Sequence, residues 1–447
     1  MKRFLNYVWR KMPESNDVRN AGPMEKAFFE SVYRFAFVIG ASTSDDYLAY
    51  TIFSCIIRGL SSLVVCLEIW SLVANNDLNL DDMISSANVI LIHLITIWRL
   101  LIMVSHKKVF RKLAKALESP SFDISTQGRK NIMKYWADTQ RKYLRVLLTI
   151  CCTTLVVWLM FPLVDEVEFN LMVEVKVPFE YDGYPHRYHL TYIVVGIMFS
   201  YASLLVIMAE AITQSHLISL ICQFDVLANC FENIFEDCAV EFQASFPEIN
   251  RDEMIRNHIF VEKYQKRLGD LVTHKSNQTT DLHTILSAPL LGQLTCSGIL
   301  ICFVGYQAIT TFAENLGKFV MSLLYLSCNM FALYLVCRWC EEITVKSQNL
   351  GRSAYFSAWE NGIVWHAPGA RAALMLVIAR SNKPLVFLAG GMYPLSLASY
   401  SSVRIIRYKI FLKIDVERYR RPDVVDDTMR CLSRSNLFTF DYNKRKL

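Results

Sequence analysis

The side chains best able to bind a metal are cysteines, and they do not form a recognisable ligand set. Cys222, Cys230 and Cys238 recur every eight residues, just over two helical turns apart. Zinc sites usually combine closely spaced Cys and His pairs, which this stretch lacks. We therefore predict reduced thiols on a helix, with no metal and no cofactor. The chain also lacks HExxH, GxSxG and GxxxxGK[ST] motifs, so we predict that it is not an enzyme.

Ionisable residues inside apolar segments are the second chemical feature. Arg58 and Glu68 lie in one such segment, and His93 and Arg99 lie in the next. A charge within a membrane span is costly and is often functional. The alternative, which we favour, is structural. Arg99 would extend towards the cytoplasm from within two turns of the segment's end, and Arg58 would pair with a neighbouring helix.

Apolar blocks of about 20 residues or more must position these side chains, and each is long enough to cross a membrane. The chain has 447 residues and is 53% hydrophobic. We predict an all-α membrane protein with seven spans, at about 47–74, 86–105, 144–164, 189–215, 284–312, 318–338 and 391–413. The predicted organisation is an N-terminal segment (1–46), six spans with the helices between them (47–338), a helix with the last span (339–414) and a basic tail (415–447).

The loops between the early spans differ sharply in charge. Residues 75–83 contain no Lys or Arg, whereas residues 106–143 contain ten. Residues 165–188 contain two, against six carboxylates. Because basic loops stay in the cytoplasm, we predict that the N-terminus is inside and, with seven spans, that the C-terminus is outside.

The two long cytoplasmic segments have helical periodicity. Basic and apolar residues alternate over 107–117, which predicts an amphipathic helix that ends near Ser119-Pro120-Ser121. A second helix, 130–143, leads into the third span. Residues 216–283 predict helices on either side of a break at Phe246-Pro247, and 28–39 predict a short helix against the membrane. The long inner helices could pack into a bundle through which subunits associate.

The C-terminal third carries an ordered set of motif residues. After a predicted helix over 370–380, Lys383-Pro384 ends the helix and Ala389-Gly390-Gly391 forms a flexible joint before the last span. This region closely resembles the insect odorant receptor family. The matching positions are Ser347, Ala354, Tyr355, Trp359, Arg371, Arg380, Lys383, Pro384, Ala389, Gly390, Pro394, Leu395, Leu397 and Tyr400.

The resemblance implies a seven-span, N-inside, ligand-gated cation channel of the plasma membrane of sensory neurons. Four subunits would surround one pore, and an odorant-tuned subunit would assemble with a shared co-receptor. A small volatile would bind among spans 2, 3, 4 and 6, in the outer half of the membrane. The candidates there, chosen by depth and chemistry, are Ile90, His93, Trp158, Phe161, Tyr192, Ile197, Tyr201, Phe319, Met321 and Tyr325. The alternative for each is lipid contact, packing between helices or anchoring at the membrane interface.

The last span departs from the family pattern after Val403. Arg404, Arg407, Lys409 and Lys413 fall where a cation pore is expected, and a ring of such charges would repel cations. Conduction could come from the co-receptor, or the last span could fail to cross. We favour a third explanation, that residues from Arg404 onward do not belong to the functional product.

Two other receptor classes remain as alternatives. A gustatory-type receptor of the same superfamily is disfavoured only modestly, by the Ala389–Leu397 element and the long acidic loop. A G-protein-coupled receptor would carry an Asp-Arg-Tyr triplet after span 3 and Asn-Pro-x-x-Tyr in span 7, and both are absent. The charge distribution also opposes that class. The sequence thus favours an odorant-tuned channel subunit.

Overall fold

The computed structural model describes most of the chain up to residue 402. The described residues are 15–42, 45, 47–74, 80–119, 122–164, 171–173, 184–310, 316–357, 359, 362–367, 369–383 and 385–402. Those up to Tyr400 belong to one compact unit. Most of the loop 165–188, together with Pro384, Val403, Arg404, Arg407 and Lys413, lies outside this description.

Within the residues described from Ser15 onward, two helices precede the first long apolar helix, α1 (Asn16–Asn20) and α2 (Pro23–Val38). Proline begins α2, where its missing N–H costs nothing. The Glu118 carboxylate accepts hydrogen bonds from the next two backbone N–H groups, at 2.7 and 3.1 Å. Val32 and Ala36 pack in one apolar cluster with Leu205 and Met208. The helix predicted over 28–39 is thus present and packs part of its apolar side against protein, while its contact with the membrane stays a prediction.

The long apolar helices agree with six of the seven predicted spans. Among the described residues, five helices are long and apolar enough to cross a membrane, and a sixth apolar stretch covers Pro289–Gly305. The helices that contain them are α3 (Leu48–Ala74), α4 (Leu80–Ser105), α6 (Gln127–Val164), α7 (Pro185–Glu232), α10 (His258–Thr310) and α11 (Leu316–Tyr355). For the predicted seventh span, only its first part, up to residue 402, is described.

Four of these helices are much longer than a membrane is thick. At 1.5 Å per residue, the 38, 48, 53 and 40 residues of α6, α7, α10 and α11 correspond to about 57, 72, 80 and 60 Å, against roughly 30 Å of hydrocarbon. The segments predicted as 130–143 and 144–164 are thus one continuous helix. The amphipathic helix, α5 (Lys107–Lys115), is also confirmed, with Phe110, Leu113 and Ala114 buried and Lys108 exposed.

An extramembrane bundle is formed by the second half of α7, α8 (Ile234–Gln243), α9 (Arg251–Arg256), the start of α10 and the end of α11. The predicted break at 246–247 separates α8 from α9. Arg129, which is fully buried, forms salt bridges with Asp123 at 2.5 Å and with Asp237. Burial alone would raise the pKa of Asp123, but hydrogen bonds from Ser125 and the charges of Arg129 and Arg267 outweigh it and lower that pKa.

The end of the compact unit corrects one prediction. After α12 (Ile363–His366) and α13 (Ala370–Ser381), strands β1 (Leu388–Ala389) and β2 (Tyr393–Pro394) pair antiparallel. Gly390 and Gly391 adopt φ values of +60° and +73°, which glycine tolerates, and so allow a tight turn. The last span was predicted to start at 391; residues 391–394 belong instead to this hairpin, and helix resumes at residue 397.

Several of the family-motif residues make contacts in this region. Ser347 Oγ accepts a hydrogen bond from the Leu385 backbone N–H at 3.0 Å, and Ala354 is fully buried. Trp359 Nε1 donates to the carbonyl of Tyr355 at 2.9 Å. The remaining placements involve the end of the region. Gly390 lies in the turn, Pro394 in β2, Lys383 just after α13, and Tyr400 beside the ring of Tyr334 at 5.7 Å.

Candidate functional site

A cavity of about 120 Å³ lies among α4, α6, α7, α10 and α11. Its aliphatic residues are Val89, Ile92, Ile95, Leu147, Leu155, Val206, Ile207, Leu300 and Ala332. Its aromatic residues are Trp158, Phe199 and Tyr325. Its other members are His93, Thr96, Arg99, Cys151, Thr154, Ser203, Glu210, Gln293, Cys296, Ser297, Cys328 and Asn329. A mainly apolar cavity with a few convergent polar groups is typical of a small-molecule site.

Aromatic rings form one end of the cavity. Trp158 meets Tyr325 edge-on, with ring centroids 5.3 Å apart, and lies 5.9 Å from Phe199. The indole N–H of Trp158 donates to the carbonyl of Met172 at 2.7 Å, so its polar atom is satisfied by protein. The ring is therefore free to offer an apolar surface to a ligand.

A buried polar pair supports the same end. His93 Nδ1 lies 3.3 Å from Glu68 Oε2, and the two side chains are 4% and 1% exposed. The contact joins α4 to α3, so His93 forms a hydrogen bond between helices while also lining the cavity. The sequence left two roles open for His93, a hydrogen bond between helices and contact with a ligand. The position of His93 is compatible with both, and ligand contact stays a prediction.

A second polar cluster occupies the other end. Arg99 Nη1 donates to Glu210 Oε1, and Gln293 Nε2 donates to the same oxygen at 2.8 Å. Arg99 Nη2 also donates to Thr213 Oγ1 at 3.0 Å. The sequence favoured a side chain of Arg99 that extends towards the cytoplasm. Arg99 is only 3% exposed, so its guanidinium does not reach water. A carboxylate on α7 offsets its charge inside the protein, which is the arrangement that buried charges require.

The arginine of α3 behaves differently from its prediction. Arg58 was expected to pair with a neighbouring helix. Instead it is exposed and bonds within its own helix, donating to the backbone carbonyl of Ser54 at 3.2 Å and to its hydroxyl at 2.6 Å. The serine one turn earlier lies within reach, whereas the side chain faces away from the other helices.

The cavity extends further along the helices than the predicted pocket. On α4 its wall runs from Val89 to Arg99, and ten residues correspond to about 15 Å along a helix axis. Because Arg99 lies six residues from the end of α4 at Ser105, the cavity passes the midpoint of the apolar segment Ser86–Ser105. It also includes α10, through Gln293, a helix that was not among the predicted pocket spans.

Three of the ten sequence-predicted pocket residues line the cavity, and seven do not. Those that line it are His93, Trp158 and Tyr325. Those that do not are Ile90, Phe161, Tyr192, Ile197, Tyr201, Phe319 and Met321. Ile197 is 53% exposed, whereas Phe199, two residues later, lines the cavity. Tyr192 packs against the apolar cluster that contains Phe199, and the hydroxyl of Tyr192 donates to the carbonyl of Leu159.

Sequence reasoning missed Glu210 and Gln293. Glu210 carried a usable signal, because it is an ionisable residue inside the fourth apolar segment, like those noted in the first two. Gln293 gave a weaker signal, because a neutral amide four residues after Pro289 does not by itself indicate a functional site. Only their joint contact with Arg99 makes them a cluster.

Two groups of thiols bear on the metal prediction and on the cavity. Cys151 and Cys328 face each other in the cavity wall, with their sulfur atoms 2.8 Å apart. Cys222, Cys230 and Cys238 are free and buried in the extramembrane bundle, where burial raises the pKa of Cys230 and of Cys238 to about 11. Within the described part of the chain no cluster of three or more His, Cys, Asp or Glu residues could hold a metal ion.

Comparison with known proteins now identifies the fold. The family model described as 7tm Odorant receptor matches residues 79–406. The chain belongs to the odorant receptor family. The resemblance inferred from the C-terminal motif residues is thereby confirmed, and the family is one of membrane receptors rather than of enzymes.

Relatives of this odorant receptor family member are distant in sequence. Odorant receptor 13a of Drosophila melanogaster is 24% identical over 317 residues, covering 66% of this chain and 71% of that protein. Putative odorant receptor 85d of the same species is 27% identical over 131 residues, covering 29% of this chain and only 30% of that protein.

The fold is more similar than the sequence. The olfactory receptor OR5 of Machilis hrabei superposes with a TM-score of 0.70 at 12% identity, covering 87% of this chain and 97% of that one. The structure of OR5 in complex with eugenol gives a TM-score of 0.68. The all-α membrane fold predicted from the apolar segments is therefore confirmed.

Proposed function

We propose that this chain is the odorant-tuned subunit of a heteromeric, ligand-gated, non-selective cation channel. The observation that carries the proposal is a mainly apolar cavity of about 120 Å³ within the helices of an odorant receptor family member. An engineered apolar cavity of ~150 Å³ in another protein admits benzene, so this size suits a small volatile. The eugenol complex of the similarly folded OR5 supports the same class of ligand.

The proposed assembly is a hetero-tetramer with the shared co-receptor in the plasma membrane of a sensory dendrite. Its topology would be seven spans with the N-terminus inside. The ten basic residues of 106–143 and the acidic loop 165–188 support this orientation. An epitope inserted near residue 182 should bind antibody on intact cells, and labelling only after permeabilisation would reverse the orientation.

Co-expression with the co-receptor and a broad panel of volatiles is the direct test. Cells should carry ligand-evoked cation currents, while the chain expressed alone should carry none. A current from this chain alone would contradict the need for a partner. Silence across the panel, with both proteins verified at the surface, would contradict tuning to volatiles.

The cavity can be tested in the same cells by truncating its aromatic wall. Trp158→Ala and Tyr325→Ala remove rings that line the cavity, so each should change the order of potency among active volatiles. Ile197→Ala is the matched control, because it shortens an apolar side chain that is 53% exposed. Unchanged dose–response curves for both ring variants would exclude these residues from the site.

The three explanations for the basic residues after Val403 remain predictions. Mass spectrometry of the receptor purified from native tissue can separate the favoured one from the others. Peptides that extend beyond Arg404 would contradict the view that this segment is not part of the functional product. Their absence alongside good coverage of earlier residues would support it.

A further inference from the structure

The Arg99–Glu210–Gln293 cluster leaves buried polar atoms without partners. Arg99 Nε, Glu210 Oε2 and Gln293 Oε1 are all inaccessible to solvent and make no hydrogen bond within the protein. Their residues are 3%, 8% and 6% exposed and come from three different helices, α4, α7 and α10. All three residues line the cavity. Buried polar groups normally have partners, so three exceptions at one end of a cavity indicate a place for a polar guest.

The unpartnered atoms include both hydrogen-bond directions. Arg99 Nε carries an N–H donor, whereas Glu210 Oε2 and Gln293 Oε1 are acceptors. The charges of Arg99 and Glu210 already offset each other through their direct contact. The site therefore offers one donor and two acceptors, with no net charge from this pair.

This combination discriminates among the polar groups that a small volatile can carry. A carboxylate would meet the negative charge of Glu210, and an ammonium group would meet the positive charge of Arg99. A carbonyl or ester can accept from Arg99 Nε but can donate nothing to the two acceptors. A hydroxyl group is neutral and does both, since it has one O–H donor and two lone pairs.

We propose that the cavity is selective for small alcohols or phenols, with the hydroxyl bound at the Arg99–Glu210–Gln293 cluster. The inference rests on the proposed function and specifies its ligand class. The carbon skeleton would lie towards Trp158 and Phe199. Phe199 and Glu210 are eleven residues apart on one helix, about 16 Å along its axis, so the polar and aromatic ends are well separated.

Compounds that share one skeleton and differ in head group provide the test. In cells that express the receptor with its co-receptor, benzyl alcohol, toluene, benzaldehyde, benzylamine and benzoate are compared by half-maximal concentration. The same comparison is made on 1-hexanol, hexane and hexanal. The alcohol should be at least about tenfold more potent than the hydrocarbon and the aldehyde of its skeleton, equivalent to 1.4 kcal/mol. In a cavity without polar partners the hydrocarbon would be favoured, because a buried unpaired hydroxyl is penalised.

A cavity variant links any such preference to the cluster. Gln293→Leu removes one unpartnered acceptor and should raise the half-maximal concentration of the alcohol about three- to thirtyfold while leaving the hydrocarbon unchanged. Ser297→Ala is the matched control, since it removes a hydroxyl from the cavity wall one turn away on α10 and should preserve the ratio. If Gln293→Leu fails to reach the surface, the head-group order in the unmodified receptor decides alone.

The outcomes separate the two proposals. Hydrocarbons or aldehydes as potent as the alcohols would overturn the head-group inference and leave the receptor proposal standing. An equal loss of both alcohol and hydrocarbon responses in Gln293→Leu, at normal surface level, would also overturn it. Silence to every volatile would overturn the receptor proposal and this inference with it.

Discussion

Breaking the buried Arg99–Glu210 pair should damage the receptor more than removing its charges together. Arg99→Met leaves the Glu210 carboxylate buried with only Gln293 as a partner. Glu210→Gln leaves the arginine charge without a counter-charge, because the new amide, Thr213 and the backbone carbonyl of Ala209 can accept hydrogen bonds but carry no charge. The double variant contains no charge, and the new amide at position 210 can still accept from Gln293.

The magnitude follows from burial. The two side chains are 4% and 10% exposed, and removing one partner of such a pair typically costs about 3–5 kcal/mol. Insertion measurements give a similar cost of about 2.5–3.5 kcal/mol for a charge at the centre of a membrane helix. Replacing both charges is often close to neutral, so the double variant should lie within about 1–2 kcal/mol of the unmodified receptor.

Surface labelling and thermal stability after detergent extraction measure the effect. Both single variants should lose most surface receptor, and the double variant should recover it. Lys263→Met is the control, because its pair with Glu241 has an N–O distance of 2.6 Å but is 38% and 46% exposed. An exposed pair contributes only about 0–1 kcal/mol. Single variants as stable as the control, or a double variant worse than either single, would refute the reasoning.

Three further predictions concern other parts of the molecule. Arg129→Met should lower the stability of the extramembrane bundle by about 3–5 kcal/mol, whereas Arg141→Ala, in a pair 54% and 57% exposed, should change it by less than about 1 kcal/mol; equal melting temperatures would contradict this. The folded state lowers the pKa of Asp123, so the contribution of this carboxylate to the free energy of unfolding should be constant above pH 3.8, its ordinary pKa, and should decline as the pH falls through the lowered pKa. Acid unfolding that is unchanged in Asp123→Asn would contradict this. On α10, Gly292→Ala should destabilise the receptor because its Cβ would lie 2.3 Å from the Trp98 ring, whereas Gly298→Ala meets nothing within 4 Å and should stabilise it by about 0.5–1 kcal/mol; melting temperatures that shift in the same direction would contradict this.

The sequence determined where the apolar segments lie and which family the chain belongs to. Hydrocarbon thickness sets a segment length of about 20 residues, so blocks of that length are visible without any tertiary information. The ordered motif from Ser347 to Tyr400 was enough for the family because it depends on residue identity alone. The amphipathic helix 107–115 was also predictable, since its two faces differ in polarity.

Tertiary structure decided which side of each helix faces the cavity. In a membrane helix the lipid-facing and protein-facing sides are both apolar, so hydropathy does not show which residues of the helix point towards the protein interior. Ile197 and Phe199 are both apolar and two residues apart, yet only the phenylalanine lines the cavity. The Arg99–Glu210–Gln293 cluster joins residues more than 80 positions apart. Such a cluster exists only once α4, α7 and α10 have packed, because its bonds are made between helices and not within them.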